Sequence, residues 1–218
     1  MPATLVVYNS LLCTIAAMKN TQTDDFDQPL LLATQSSYKQ GLFKRLKVPF
    51  DVVAPNVDET PLNGESAKAQ AERLALNKAK KIAGQHTDRL VLACDQSAIC
   101  NNQLLSKPGS LEKATQQLTD MSGQTLYFHT AICLYNPRNA SFNCRETSTE
   151  VKMRQLSQEE ISHYLKTEPA LDCVGSCKSE GFGISLCESI RSDDPTALIG
   201  LPLIATCNLL REAGLKLS

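Results

Sequence analysis

Apolar residues recur along this chain at two spacings, one suited to strands and one to helices, and the segments alternate. Leu30 to Thr34 is a short apolar run that predicts a first strand. From Ser36 to Val48, Leu42, Phe43 and Leu46 fall at helical spacing. Phe50 to Ala54 alternates into a second strand and stops at Pro55. Residues 55–65 are rich in Pro, Asn, Asp and Gly and predict a loop. Ser66 to Ala83 sets Ala71, Leu74, Ala75, Lys78, Ala79 and Ile82 on one stripe, a helix stopped by Gly84. Leu90 to Cys94 predicts a central strand that ends abruptly in the carboxylate of Asp95, delivered to the edge of a sheet.

The second half repeats the alternation. Ala98 to Leu105 predicts a hairpin about Asn101-Asn102. Ser110 to Met121 keeps Leu111, Ala114, Leu118 and Met121 in helical phase, and Ser122-Gly123 ends it. Leu126 to Tyr135 and Ser141 to Arg154 read as two long strands joined by a turn at Asn136-Pro137. Ser157 and Glu160 form a capping box that opens a helix over Gln158 to Lys166. Glu168 to Gly183 is a polar loop containing glycines, and Pro202 to Ala213 is a last helix followed by Gly214. Alternating strands and helices predict an α/β protein with a mixed sheet.

Composition narrows the function more than the fold. A chain of 218 residues, 42% of them hydrophobic, can bury a sizeable core as one large domain or two intimate lobes. Its formal net charge of −1 gives no general field for nucleic acid or an anionic membrane, so any phosphate binding must come from local cations. The absence of Trp argues against an extended base-stacking platform. Nine cysteines, an odd number without a CxxC pair, give little support to structural zinc and read as reduced thiols in a cytosolic protein. Thr4 to Met18 is apolar but too short to span a membrane and lacks a basic leader. Residues 1–28 are read as an extension, disordered or from a mis-assigned start since Met18 serves equally well, ahead of a single domain over 29–218.

The candidate chemistry sits at the boundaries of predicted elements. Asp95 at a strand end suits a general base or a metal ligand, and equally a loop-anchoring Asp. Asp58-Glu59 in the polar loop suits magnesium held through one carboxylate and several waters, or a solvated turn. Lys107 is stiffened by Pro108, and Lys178 and Glu180 lie between Gly175 and Gly181. Ser36 opens the first helix, where free N–H groups bind phosphate, with Tyr38 and Lys39 following as a possible stacking face and cation. His86, His129 and His163 lie far apart and read as structural or surface residues.

In order, the segments LLLATQSSYKQGLF, APNVDETP, LVLACDQS, SKPGS, GSCKSEGFGISL and ALIGLPLIATCNLL resemble the Maf family of nucleoside triphosphate pyrophosphatases. They run from about Leu30 to Leu210. The resemblance implies a mixed twisted sheet flanked by helices, like that of inosine triphosphate pyrophosphatase, with a cleft between two lobes. It implies a general base at Asp95, base selection by Tyr38, Gln96 and Glu180, phosphate binding by Ser36, Lys39, Lys107 and Lys178, and metal binding by Glu59. It also implies magnesium or manganese as cofactor, a nucleoside triphosphate as substrate, and a cytoplasmic homodimer without nucleic-acid or membrane partners. Within the family the chain is most similar to the subgroup acting on 7-methyl-GTP, in which Gln follows the base Asp; members acting on dTTP and UTP usually carry Thr there. Two positions depart from that subgroup, Tyr38 for the usual Trp and Lys39 for the usual Arg. Hydrolysis of dTTP, UTP or another modified nucleotide, and nucleotide binding by a cell-division regulator, are the competing expectations.

Overall fold

The computed structural model describes residues 29–217, so the expectation of an extension over 1–28 lies outside the described residues. Seven strands form one mixed sheet: β1 (Leu30–Ala33), β2 (Phe50–Val53), β3 (Val91–Cys100), β4 (Gln103–Leu105), β5 (Thr125–Asn136), β6 (Ser141–Met153) and β7 (Cys187–Ser192). The order is β2-β1-β3-β5-β6-β7, with β4 also paired to β3. β1 runs parallel to both β2 and β3, whereas β3, β5, β6 and β7 are antiparallel in succession. Five helices cover this sheet: α1 (Ser37–Lys44), α2 (Ala67–Ala83), α3 (Leu111–Met121), α4 (Gln158–Thr167) and α5 (Leu203–Glu212).

Each helix starts where local chemistry directs. Ser36, Ser66, Ser110 and Ser157 all accept a backbone N–H of the first turn, and Ser157 completes its capping box with Glu160. α1 stops at Lys44 instead of reaching Val48. Val48 precedes Pro49, which disfavours helical backbone there, and Lys47 turns left-handed at φ 58°. Asn101 and Asn102 are both left-handed, as a tight two-residue hairpin requires.

Three apolar clusters make the core. Leu32, Leu92 and Cys94 pack under α1 and α5 on one face of the parallel half. Leu31, Val91, Ala93 and Ala131 pack under α2 on the other face. A third cluster joins the far ends of β3, β5 and β6 to α3 and α4 through Ala98, Leu118, Phe128, Met153 and Tyr164. The long strands thus pass through two lobes. Between the lobes, β3 carries the polar run Asp95-Gln96-Ser97.

Three further expectations change. β3 does not end at Asp95; it continues unbroken to Cys100, because pairing with β5 persists past the carboxylate. What ends is its neighbour: β1 stops at Ala33, opposite Ala93, and β4 pairs with β3 only from Ala98 onward. Asp95 therefore sits mid-strand at a gap in the sheet. β7 was not foreseen, since its sequence CESIRS is a short edge strand with little apolar content. Finally, Cys133 and Cys144 are paired across β5 and β6 as a disulfide, contrary to uniformly reduced thiols.

Candidate active site

The gap beside β3 opens into a cavity of about 840 Å³. Its walls come from the segment after β1, the loop after β2, α2, the middle of β3, the hairpin after it, and loops 172–180 and 198–200. Alternation along β3 turns Asp95 towards α2 and Gln96 towards the loop ahead of α5.

Lys78 is the centre of the deep end. It lies on the alanine-rich stripe of α2 and is buried together with Asp95. Its ammonium donates to Asp95 Oδ1 and lies 2.5 Å from Glu59 Oε1. Burial by itself would push the Lys78 ammonium down; the carboxylates of Asp95 and Glu59 outweigh it and hold the group above the ordinary lysine value. Burial likewise opposes ionisation of Glu59. The hydrogen-bonded Lys78 prevails, aided by the fields of Lys107 and Lys39, and the carboxyl lies below the usual glutamate range. Asp95 and Glu59 meet Lys78 through one oxygen each.

Asp58 does not join this cluster. Its Oδ1 accepts the backbone N–H of Thr60 at 2.9 Å and the Thr60 hydroxyl at 2.6 Å, closing an Asx turn that lowers its carboxyl below the ordinary range. That turn presents Glu59 to Lys78. Lys39 donates from Nζ to the Cys94 carbonyl at 3.1 Å and crosses close to Gly200. Gly200 has φ +113°, a backbone conformation that favours glycine, and a Cβ there would also come within 3.2 Å of the Lys39 side chain.

The rim is built differently. The Tyr38 hydroxyl is 3.2 Å from Asp172 Oδ2, and the Lys178 ammonium sits 5.5 Å from the centre of the Tyr38 ring. Lys178 also lies 3.7 Å from Asp172 Oδ1. Hydrogen bonding to Tyr38 raises Lys178 above the usual lysine value despite some desolvation. Glu180 lines the cavity from the same loop. Gly183 allows that loop to fold on itself, since a Cβ would meet the Lys178 carbonyl at 2.5 Å.

Eight of the nine site residues named from sequence line the cavity: Ser36, Tyr38, Lys39, Glu59, Asp95, Gln96, Lys107 and Glu180. Lys178 is engaged with Tyr38 and Asp172 at the rim instead. Sequence reading missed Lys78, although a lysine on an otherwise apolar stripe is a usable signal, because such a charge must find a buried partner. It also missed Asp172, Thr130 and the buried Asp194. Asp194 accepts from the backbone N–H groups of Ile204 and Ala205 at 2.6 and 3.3 Å and so holds the loop ahead of α5.

Comparison with known proteins agrees with the sequence motifs. The Maf-like protein family matches residues 29–213. A 7-methyl-GTP pyrophosphatase of Xanthomonas axonopodis pv. citri is 50% identical over 188 residues, covering 86% of this chain and 98% of that protein. One from Aromatoleum aromaticum is 46% identical over 188 residues, covering 86% and 97%. One from Polaromonas sp. is 44% identical over 209 residues, covering 96% and 94%. With its mixed sheet, its interlobe cavity and this match over nearly all the described residues, the chain belongs to the Maf family.

Proposed function

We propose that this protein hydrolyses 7-methyl-GTP between the α- and β-phosphates, releasing 7-methyl-GMP and pyrophosphate. The observation that carries the reading is the buried lysine shared by two carboxylates at the floor of a nucleotide-sized cavity. The relatives named as 7-methyl-GTP pyrophosphatases support the choice of base.

Asp95 acts as the general base. Lys78 fixes Oδ1, and Oδ2 takes a proton from a water that attacks the α-phosphorus in line as pyrophosphate departs. Lys39 and Lys107, with the N-terminus of α1 at Ser36, hold the phosphates. Among the described residues, no three His, Cys, Asp or Glu side chains gather to cage a metal by themselves. Glu59, with the oxygen it keeps off Lys78, still suits a magnesium or manganese ion completed by phosphate oxygens and water. When bound, the ion neutralises charge on the triphosphate.

At the rim, Tyr38 offers an aromatic face to the cationic methylated ring, worth roughly 0.5–2 kcal/mol depending on desolvation. Glu180 complements the same charge and accepts from the guanine edge. No helix among the described residues is long and apolar enough to cross a membrane, and the reading includes a cytoplasmic homodimer, which light scattering checks. The principal test is pyrophosphate release from 7-methyl-GTP, GTP, dTTP and UTP with magnesium or manganese. We expect 7-methyl-GTP to lead by at least tenfold in kcat/KM. A lead by dTTP or UTP would replace the substrate, and binding without turnover would remove the enzyme.

A further inference from the structure

Gln96 and Thr130 face each other across β3 and β5. The Gln96 amide nitrogen lies 3.0 Å from Thr130 Oγ1, from the Ala197 carbonyl and from the Leu198 carbonyl, and its two N–H protons are shared among these three acceptors. Thr130, fully buried, donates its own hydroxyl proton to the Ala197 carbonyl at 2.9 Å. A backbone carbonyl can only accept, so the amide must turn its nitrogen, not its oxygen, to residues 197 and 198. With its proton committed to Ala197, Thr130 also shows Gln96 only lone pairs.

The amide oxygen is left over. Gln96 lines the cavity, and no buried side-chain oxygen or nitrogen among the described residues lacks a partner. Gln96 Oε1, which makes none of these bonds, is therefore open to the cavity.

We propose that Thr130 is a positioning residue for base selection, which holds the Gln96 amide so that the cavity meets a fixed acceptor at Oε1. Guanine satisfies that acceptor with the N–H donors at N1 and N2 of its Watson–Crick edge. Adenine carries its one donor on that edge at N6, the opposite end, and has a lone pair at N1, so a purine held with N1 at Oε1 then leaves two acceptors opposed. A site built to pair a donor rejects the ligand that lacks it. The inference rests on the guanine reading of the substrate but concerns a different property of the base, the polarity of its edge and not its charge.

One nucleotide panel separates the two. The ratio of 7-methyl-GTP to GTP reports on the charge reading, and the ratio of GTP to ATP reports on the Thr130–Gln96 knot. In the unaltered protein we expect GTP to exceed ATP at least tenfold in kcat/KM. Thr130→Val keeps the shape and removes the hydroxyl. It should lower the GTP to ATP ratio about fivefold, chiefly through KM for GTP, with kcat changed less than threefold and with Thr130→Ser restoring the ratio. Should the valine variant not fold, Thr130→Ala tests the same knot, because it removes the hydroxyl without filling its place; its ratio should also fall. GTP and ATP within twofold in the unaltered protein, or an unchanged ratio in whichever variant folds, would overturn the proposal.

Discussion

The two ends of the cavity hold their charges in opposite ways. At the floor, Lys78 and Asp95 are both buried, and their ion pair is enclosed by α2 and β3. At the rim, Asp172 is 62% exposed in its side chain, and its ion pair with Lys178 spans 3.7 Å. A buried pair cannot be broken cheaply, since the partner left behind keeps its charge without water; the cost is about 3–5 kcal/mol. A surface pair contributes about 0–1 kcal/mol and is easily exchanged. The floor is therefore rigid where phosphoryl chemistry needs fixed geometry. The rim already carries one cation over the Tyr38 ring, which an incoming cationic base must replace.

If the floor is the chemical end, its variants should cost the most. Asp95→Asn keeps the shape of the side chain but loses the proton acceptor, and kcat should fall about 10³-fold in a pyrophosphate-release assay. Near-normal turnover would take the general-base role away from Asp95. The circular dichroism spectrum should be unchanged.

Lys78→Met comes next. Methionine fills the stem volume and removes the charge that fixes both carboxylates, so kcat should fall about 10²-fold. Its thermal stability also has a defined pH signature. The folded value of Lys78 is raised, so its stabilisation is complete below the ordinary lysine value of 10.5 and is lost as pH climbs through the raised value. Glu59 is lowered from 4.5, so its share is complete above that value and is lost as pH falls through the lowered one. The gap in Tm between unaltered protein and Lys78→Met should be widest near neutral pH and shrink on either side, above about pH 10 as Lys78 loses its proton and in acid as the carboxylates left without it take theirs up. A gap independent of pH would take Lys78 out of the charge balance of the floor.

These two residues also show what sequence conveys and what it hides. Asp95 is legible because apolar residues precede it on a strand, but its place along that strand is not: polarity at Asp95-Gln96-Ser97 looks like a strand end when periodicity is the only guide. Only the pairing of β3 with β5 shows that the strand continues, and pairing is a long-range property. Lys78 stands out on its stripe, yet nothing local tells a snorkelling lysine from one with a buried carboxylate partner. The five helices were legible because serine caps and Pro202 act within a few residues. β7 was not, because an edge strand is held by its partner β6 more than by its own apolar content.

Smaller effects should appear on moving to the rim. Glu180→Gln removes one negative charge from the cavity lining while keeping its size. We expect the preference for 7-methyl-GTP over GTP to drop about fivefold, with kcat for GTP almost unchanged, because an exposed charge acts through water. An identical ranking of the two nucleotides would take Glu180 out of selection and leave the aromatic face as its main source.

Asp172→Asn should have the smallest effect and tests the rim most directly. Asparagine keeps an oxygen for the Tyr38 hydroxyl, 3.2 Å away in the unaltered protein, but no longer attracts Lys178 by charge. Two consequences oppose each other. Loosening Lys178 frees the ring of Tyr38 for the base, which favours binding. Loss of a carboxylate at the mouth weakens attraction for a cationic base, which disfavours it. Salt separates them, because at high ionic strength the charge at the open mouth is screened, whereas the ring contact is local. We expect KM for 7-methyl-GTP to rise about twofold in low salt and to match or fall below that of the unaltered protein in high salt. A salt-independent rise would mean that Asp172 works only by orienting Tyr38, and the rim would then be as rigid as the floor.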